Sequence, residues 1–106
     1  MDNERFMIVV EQAFLRSKTL LMKKAKEYSK KGGDRLIQFK KTGMMEDKPP
    51  TETLFSMADK HITTIAEMVK DPSNYTTGQW REKITDLRNY TFLLEALLID
   101  MEVIEE

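Results

Sequence analysis

The amino-acid sequence predicts an all-α protein, a helical bundle of about four helices in which the first and last helices are long. Three observations favour this fold class. Apolar residues recur at spacings of three and four along most of the chain, which is the period of a helix. Glycine or proline clusters interrupt this pattern at three places. No stretch shows the sustained alternation of a strand. With 106 residues, the chain is expected to form one domain, residues 1–106.

The first helix is predicted to run from about Asn3 to Lys30. Either Asp2 or Asn3 can cap its N-terminus, since a short polar side chain accepts a hydrogen bond from the free amides of the first turn. Gly32, in the sequence KGGD, suits the left-handed conformation that ends many helices. The apolar positions of this helix are Phe6, Val10, Ala13, Phe14, Leu20, Leu21, Ala25 and Tyr28.

A short second helix is predicted to follow, with Asp34 as its cap and an end near Gly43. The segment after it, MMEDKPP, is expected to be a loop because Pro49 and Pro50 are excluded from a helix interior. The apolar residues of the short helix are Leu36, Ile37 and Phe39.

Two further helices complete the predicted bundle. Thr51 is expected to cap the third, whose apolar stripe stops at the sequence DPSN, residues 71–74. Thr76 and Gln79 have the spacing of a capping box at the start of the fourth helix. Residues 80–104 contain no glycine or proline, so one long helix is expected to close the sequence.

The second half of the last helix is apolar on every face, and such a helix must be surrounded by other helices. We therefore expect a homo-oligomer that forms through the C-terminal helix. The alternative is that this helix is the central one of a monomeric bundle. The residues that cover its faces are Phe92, Leu93, Leu94, Ala96, Leu97, Leu98 and Ile99.

Composition excludes several classes of function. The net charge is −1, so there is no strong signal for nucleic-acid binding. The absence of cysteine excludes disulfides, thiolate zinc sites and cysteine nucleophiles. No apolar stretch approaches the length of a membrane span, and none resembles a signal peptide. We therefore expect a cytoplasmic protein that has no membrane partner.

A polar row on the last helix is the main candidate site. Glu82, Asp86 and Asn89 follow each other at spacings of four and three, which places their side chains on one helix face. Their oxygens can converge on a cation. Alternatively, the two carboxylates only complement the helix dipole and pair with Lys83 and Arg88.

Four stretches carry a resemblance to known families. They are KKAKEY at residues 23–28, the aromatic Phe39, DKH at 59–61, and EKITDLRNYTFLLEAL at 82–97. Together they resemble the phage and bacterial nucleotide modification associated domains and, more distantly, the MazG-like all-α nucleotide pyrophosphatases. The resemblance implies a phage or mobile-element protein that binds or processes a nucleotide with Mg²⁺, which bridges the phosphates.

The resemblance also implies a site. Glu82, Asp86 and Glu27 would hold the metal, and the enzyme, if it is one, would be a nucleoside triphosphate pyrophosphohydrolase. Two features depart from the MazG-like pattern: the later carboxylates are four residues apart rather than three, and Glu27 stands without a second carboxylate. The nucleotide-binding residues implied by the resemblance are Lys24, Tyr28, Lys60, His61, Asn89 and Tyr90.

Two other functions remain open at this point. A non-enzymatic phage anti-defence protein could bind a host defence protein or sequester a nucleotide messenger, and this hypothesis accounts for the missing carboxylates. A purely structural helical oligomer needs no ligand at all. The basic residues Lys23, Lys24, Lys26, Lys30 and Lys31 form a run that could contact phosphate or nucleic acid, although such runs usually lie on a solvated face.

Overall fold

The structure, a computed structural model, describes residues 1–28 and 33–106, with side chains for 1–27 and 33–106. Over these residues it contains α-helices and one short 3-10 helix, Pro72–Asn74, and no strand, which confirms the all-α prediction. No helix in this part of the chain is long and apolar enough to cross a membrane. The helices are α1 (Asn3–Tyr28), α2 (Ile37–Glu46), α3 (Pro50–Met68) and α4 (Thr77–Asp100).

The hydrophobic core lies between α2, α3 and α4. Its buried members come from the start of α2 and from the facing sides of α3 and α4, and Leu97 is 0% exposed. The second half of α4 is apolar on every face, as the sequence predicts. The core covers part of this apolar surface within one chain. The core residues are Leu36, Phe39, Leu54 and Leu97, with Met57, Tyr90, Leu93 and Leu94 packed against them.

Helix α1 stands apart from this core. It packs mainly on α4, and its only fully buried residue among those described is Ser17, which is polar. Arg88 of α4 donates a hydrogen bond from Nε to Ser17 Oγ at 2.7 Å and one from Nη2 to Thr85 Oγ1 at 3.3 Å. The large apolar side chains that α1 leaves exposed are Phe6, Met7, Ile8, Val9, Phe14, Leu15 and Met22.

The start of α1 and that of α4 agree with the prediction. The Asp2 carboxylate accepts a hydrogen bond from the Arg5 amide at 2.8 Å, so Asp2 is the cap of α1. Thr76 and Gln79 form the predicted capping box, with side-chain to backbone bonds in both directions. Helix α1 is described to Tyr28, and its predicted end at Lys30 and Gly32 lies outside the described residues.

Helix α2 does not end near Gly43 as predicted. It continues to Glu46, and Asp47 then takes the left-handed conformation (φ 54°). Gly43 is needed for a close contact instead, because a Cβ built on it would lie 2.7 Å from the Lys48 carbonyl oxygen. The prediction treated the glycine as a helix stop, whereas it lets the following loop pass close to the helix.

Two other predicted boundaries are wrong. Helix α3 begins at Pro50, with Pro49 in the cap position, and Thr51 is inside its first turn. Proline is well suited to the first helical position because its missing amide would have no partner there. Helix α4 ends at Asp100 rather than near Ile104, since Glu102 adopts φ 60° and the Val103 amide bonds back to the Leu98 carbonyl.

Candidate functional site

A recess of about 110 Å³ opens where α1, α2 and α4 approach each other. Aromatic and aliphatic side chains form part of its wall, and five polar or charged side chains form the rest. Four of the predicted site residues, Lys24, Asp86, Asn89 and Tyr90, meet here although they are distributed over two helices. The described residues that line it are Leu21, Lys24, Arg35, Gln38, Phe39, Met57, Asp86, Asn89, Tyr90 and Leu93.

Asn89 provides the most informative polar group of the recess. Its side chain is 6% exposed, and its Oδ1 atom accepts no hydrogen bond from any described residue. A buried acceptor without a partner costs about 1–3 kcal/mol, so such atoms are rare in folded proteins. This oxygen is closed off from solvent, so a ligand in the recess could donate an N–H or O–H group to it only after the Asn89 amide rotates toward the recess.

Two cations lie at the same recess. Lys24 comes from the last turns of α1, and Arg35 lies just before α2. Among the described residues neither side chain forms a salt bridge, and both are partly exposed. A phosphate or carboxylate of a ligand would find two donors here, since arginine binds such groups in a bidentate manner and lysine acts as a point charge.

Asp86 and Tyr90 connect the recess to α3. His61 Nδ1 lies 3.9 Å from Asp86 Oδ2, and the rings of His61 and Tyr90 are 5.2 Å apart between centroids. Asp86 is 15% exposed and His61 is 21% exposed by side chain. His61 does not line the recess itself, but it supports two residues that do.

The predicted metal ligands are not brought together. Glu82 and Glu27 are both exposed and do not line the recess, where Asp86 is the only carboxylate among the described lining residues. No three His, Cys, Asp or Glu side chains in residues 1–27 and 33–106 are grouped to hold a metal ion. One carboxylate nevertheless suits Mg²⁺, which often keeps several waters and takes its other ligands from phosphate.

The alternative explanation of the polar row was that its carboxylates complement the helix dipole and pair with Lys83 and Arg88, and only the ion pairs can be compared with the structure. Within the described residues, neither Lys83 nor Arg88 forms an ion pair with Glu82 or Asp86. Arg88 is turned toward α1 instead. Burial, and secondly the charge of Arg16, hold the pKa of Arg88 below its ordinary value.

One further predicted residue lies elsewhere, and two lining residues were not predicted. Lys60 is exposed and does not line the recess, while the side chain of Tyr28 lies outside the described residues. Arg35 and Gln38 line the recess without having been identified from sequence. Arg35 precedes α2 and Gln38 is its second residue, and no local sequence pattern indicates either as a site residue.

The recess therefore combines a buried acceptor, two cations, one carboxylate and aromatic walls. Comparison with protein-family models, with curated proteins and with solved structures finds no match.

Proposed function

We propose that this protein binds a nucleotide in the recess. The observation that carries the proposal is Asn89, whose buried Oδ1 atom has no partner among the described residues and lies beside aromatic walls. If the Asn89 amide rotates toward the recess, a nucleobase offers the missing donor through a ring N–H or exocyclic amine. The base would contact Tyr90, because Phe39, the other aromatic residue among the described lining residues, is buried in the core.

The size and charge of the recess support the same ligand class. A volume of about 110 Å³ holds one ring system and not a complete nucleoside triphosphate. The sugar and phosphates would therefore extend toward the opening, where Lys24 and Arg35 have no acidic partner among the described residues. In this arrangement the base is held by Asn89 and the phosphates by the two cations.

Isothermal titration calorimetry with purine and pyrimidine mono- and triphosphates tests the proposal. We expect micromolar to millimolar binding of at least one of them, and Lys24→Ala should weaken it about tenfold, since a charge-assisted contact is worth roughly 1.5–3 kcal/mol. Lys23→Ala is the matched control because Lys23 is exposed on the same helix and does not line the recess. If no nucleotide binds, or if both variants lose affinity equally, the recess is not the site.

Asn89→Leu separates binding from stability. Removal of a buried acceptor without a partner is expected to leave the melting temperature unchanged or to raise it, whereas the affinity for the base should fall. A variant that melts much earlier would show that Asn89 has a structural partner instead.

The proposal includes Mg²⁺, which Asp86 would help to bind. The metal would neutralise phosphate charge, and Asp86 would contribute one oxygen to its coordination shell. We expect Asp86→Asn to remove any increase in nucleotide affinity caused by Mg²⁺, while the matched control Glu82→Gln has no effect. An equal loss in Glu82→Gln would instead favour the carboxylate cluster predicted from the sequence.

Sequestration without hydrolysis is the second candidate, and the single carboxylate of the recess favours it. Hydrolysis of a triphosphate requires a positioned water, and one carboxylate orients a metal and its waters weakly. An assay for pyrophosphate release on each nucleotide that binds separates the two functions. Release would favour the pyrophosphohydrolase, and tight binding without release would favour a sequestering protein.

Self-association through the C-terminal helix stays a prediction. Leu97, the central residue of the apolar stretch, is buried within one chain, while Ile84 and the residues after Asp100 leave some apolar surface exposed. Helix α1 exposes more large apolar side chains than α4 does.

A further inference from the structure

Helix α1 carries an apolar seam that the rest of the chain leaves exposed. Ile8, Leu15 and Met22 are each seven residues apart, so they lie in one row along the helix, and all three are exposed. Leu15, the middle one, is 66% exposed. The residues that α1 turns toward α4, such as Ser17, lie on the opposite side.

The exposed apolar surface of α1 is large enough for a stable contact. Met7 and Phe14 extend the seam on the side nearer to α4, where the Phe14 ring lies 6.0 Å from that of Phe92 between centroids, and each of the five side chains is about half exposed. At roughly 200 Å² per large side chain, the five expose on the order of 500 Å². A standard interface buries about 800 Å² per partner, and the stems of neighbouring charged residues supply the remainder.

Charge along α1 identifies what can cover the seam. Residues 2–13 contain three acids and one arginine, whereas residues 14–27 contain five basic residues and one acid. The helix therefore has an acidic half and a basic half. An antiparallel copy of the same helix places each acidic half beside a basic half, while a parallel copy places like charges together.

We propose that α1 pairs with α1 of a second copy of this chain in an antiparallel, two-fold symmetric contact. In the register that places Glu11 opposite Lys18 of the second copy, Leu15 lies near the two-fold axis. Ile8 then lies near Met22 of the second copy, so the apolar row is covered along its length. Because the contact is two-fold symmetric, it closes at a dimer.

The dimer leaves the candidate nucleotide site open. Lys24 and Ser17 share the side of α1 that faces α4, and the seam is on the other side. Loss of dimerisation and loss of nucleotide binding are therefore separable outcomes.

Sedimentation velocity on the whole chain between 1 and 200 μM tests the proposal. The wild type should sediment at twice the mass of the 12.4 kDa chain. Leu15→Glu should be a monomer over this range with unchanged helical content, because Leu15 has no role in the core. Met45→Glu is the matched control: Met45 is exposed on α2, outside the seam, and this variant should remain dimeric.

Exchanging two charges tests whether α1 of a second copy covers the seam and whether the two helices are antiparallel. Glu11→Lys and Lys18→Glu should each raise the dimer dissociation constant about tenfold or more, and the double variant should restore it to near the wild-type value. A monomeric wild type at 200 μM overturns the proposal, as does a Leu15→Glu protein that still dimerises. A double variant no tighter than the single ones would exclude the antiparallel register.

Discussion

Single residues decide where the chain can pass close to itself, and glycine is the clearest case. Gly43 is inside α2, where its lack of a side chain admits the Lys48 carbonyl and Thr53 Oγ1. Gly78 is in the first turn of α4, and a Cβ there would meet only Thr76 Oγ1 at 3.9 Å. The same residue type thus has a packing role at one position and none at the other.

Gly43→Ala is expected to destabilise the protein by about 1–3 kcal/mol, the usual cost of overpacking, because the new methyl group overlaps a backbone oxygen. Gly78→Ala should stabilise it by up to about 1 kcal/mol, since alanine favours the helix and restricts the unfolded chain. Urea unfolding of both variants measures the difference. If the two variants change stability by the same amount, the close contact at Gly43 does not exist.

At the same scale, the candidate site could be predicted in part. Asp86, Asn89 and Tyr90 have the spacing of one helix face, so their convergence follows from sequence. Glu82 fits the same spacing but lies a turn earlier and is exposed. Arg35 comes to the recess only through the packing of α1, α2 and α4, and no local pattern reports such a contact.

The helices as elements were predictable because each has its own local signals. The capping box before α4 and the prolines before α3 identify two starts, and the Asp2 side chain identifies a third. The errors fall where tertiary contacts override local preference. Gly43 permits a close approach inside α2, and the chain after α4 turns back at Glu102 despite the apolar residues that follow.

An ion network ties α2 to the end of α4. Lys40 Nζ lies 2.5 Å from Asp34 Oδ2 and 2.6 Å from Asp100 Oδ2. The hydrogen bond from Lys40, and secondly that from the Leu36 amide, lower the pKa of Asp34 from its ordinary value of 3.8. Since all three charged side chains are about one-third to one-half exposed, the network should contribute no more than about 1 kcal/mol.

Lys40→Met should therefore lower the free energy of unfolding slightly at pH 7. Because the pKa of Asp34 is lower in the folded state, its contribution is present above pH 3.8 and is lost as the pH falls through the lowered value. The difference between wild type and variant should shrink below that pH and in high salt. Lys41→Met is the control, since Lys41 is exposed and forms no ion pair with the described residues; an equal effect in both variants would exclude the network.

At the scale of the whole molecule, two kinds of apolar surface have different consequences. Leu97 is buried in the core of one chain, so a charge at this position would unfold the protein whether or not it associates. Leu15 is exposed, so a charge there tests association alone. The sequence predicted self-association because the second half of α4 is apolar on every face. Only the packing reveals that, among the described residues, α1 exposes more large apolar side chains than any other helix.

The attachment of α1 through a polar contact has a consequence for hydrogen exchange. When α1 separates from α4, the chain loses the bond between Ser17 and Arg88 and the ring contact between Phe14 and Phe92, whereas the four core residues come from α3, α4 and the start of α2. Amides of α1 should therefore exchange by local opening, at a lower free energy than those of α3 and α4, which require global unfolding. If α1 is held by a second copy, dilution should accelerate exchange in α1 and leave the other helices unchanged, a pattern that mass spectrometry of peptic fragments can resolve.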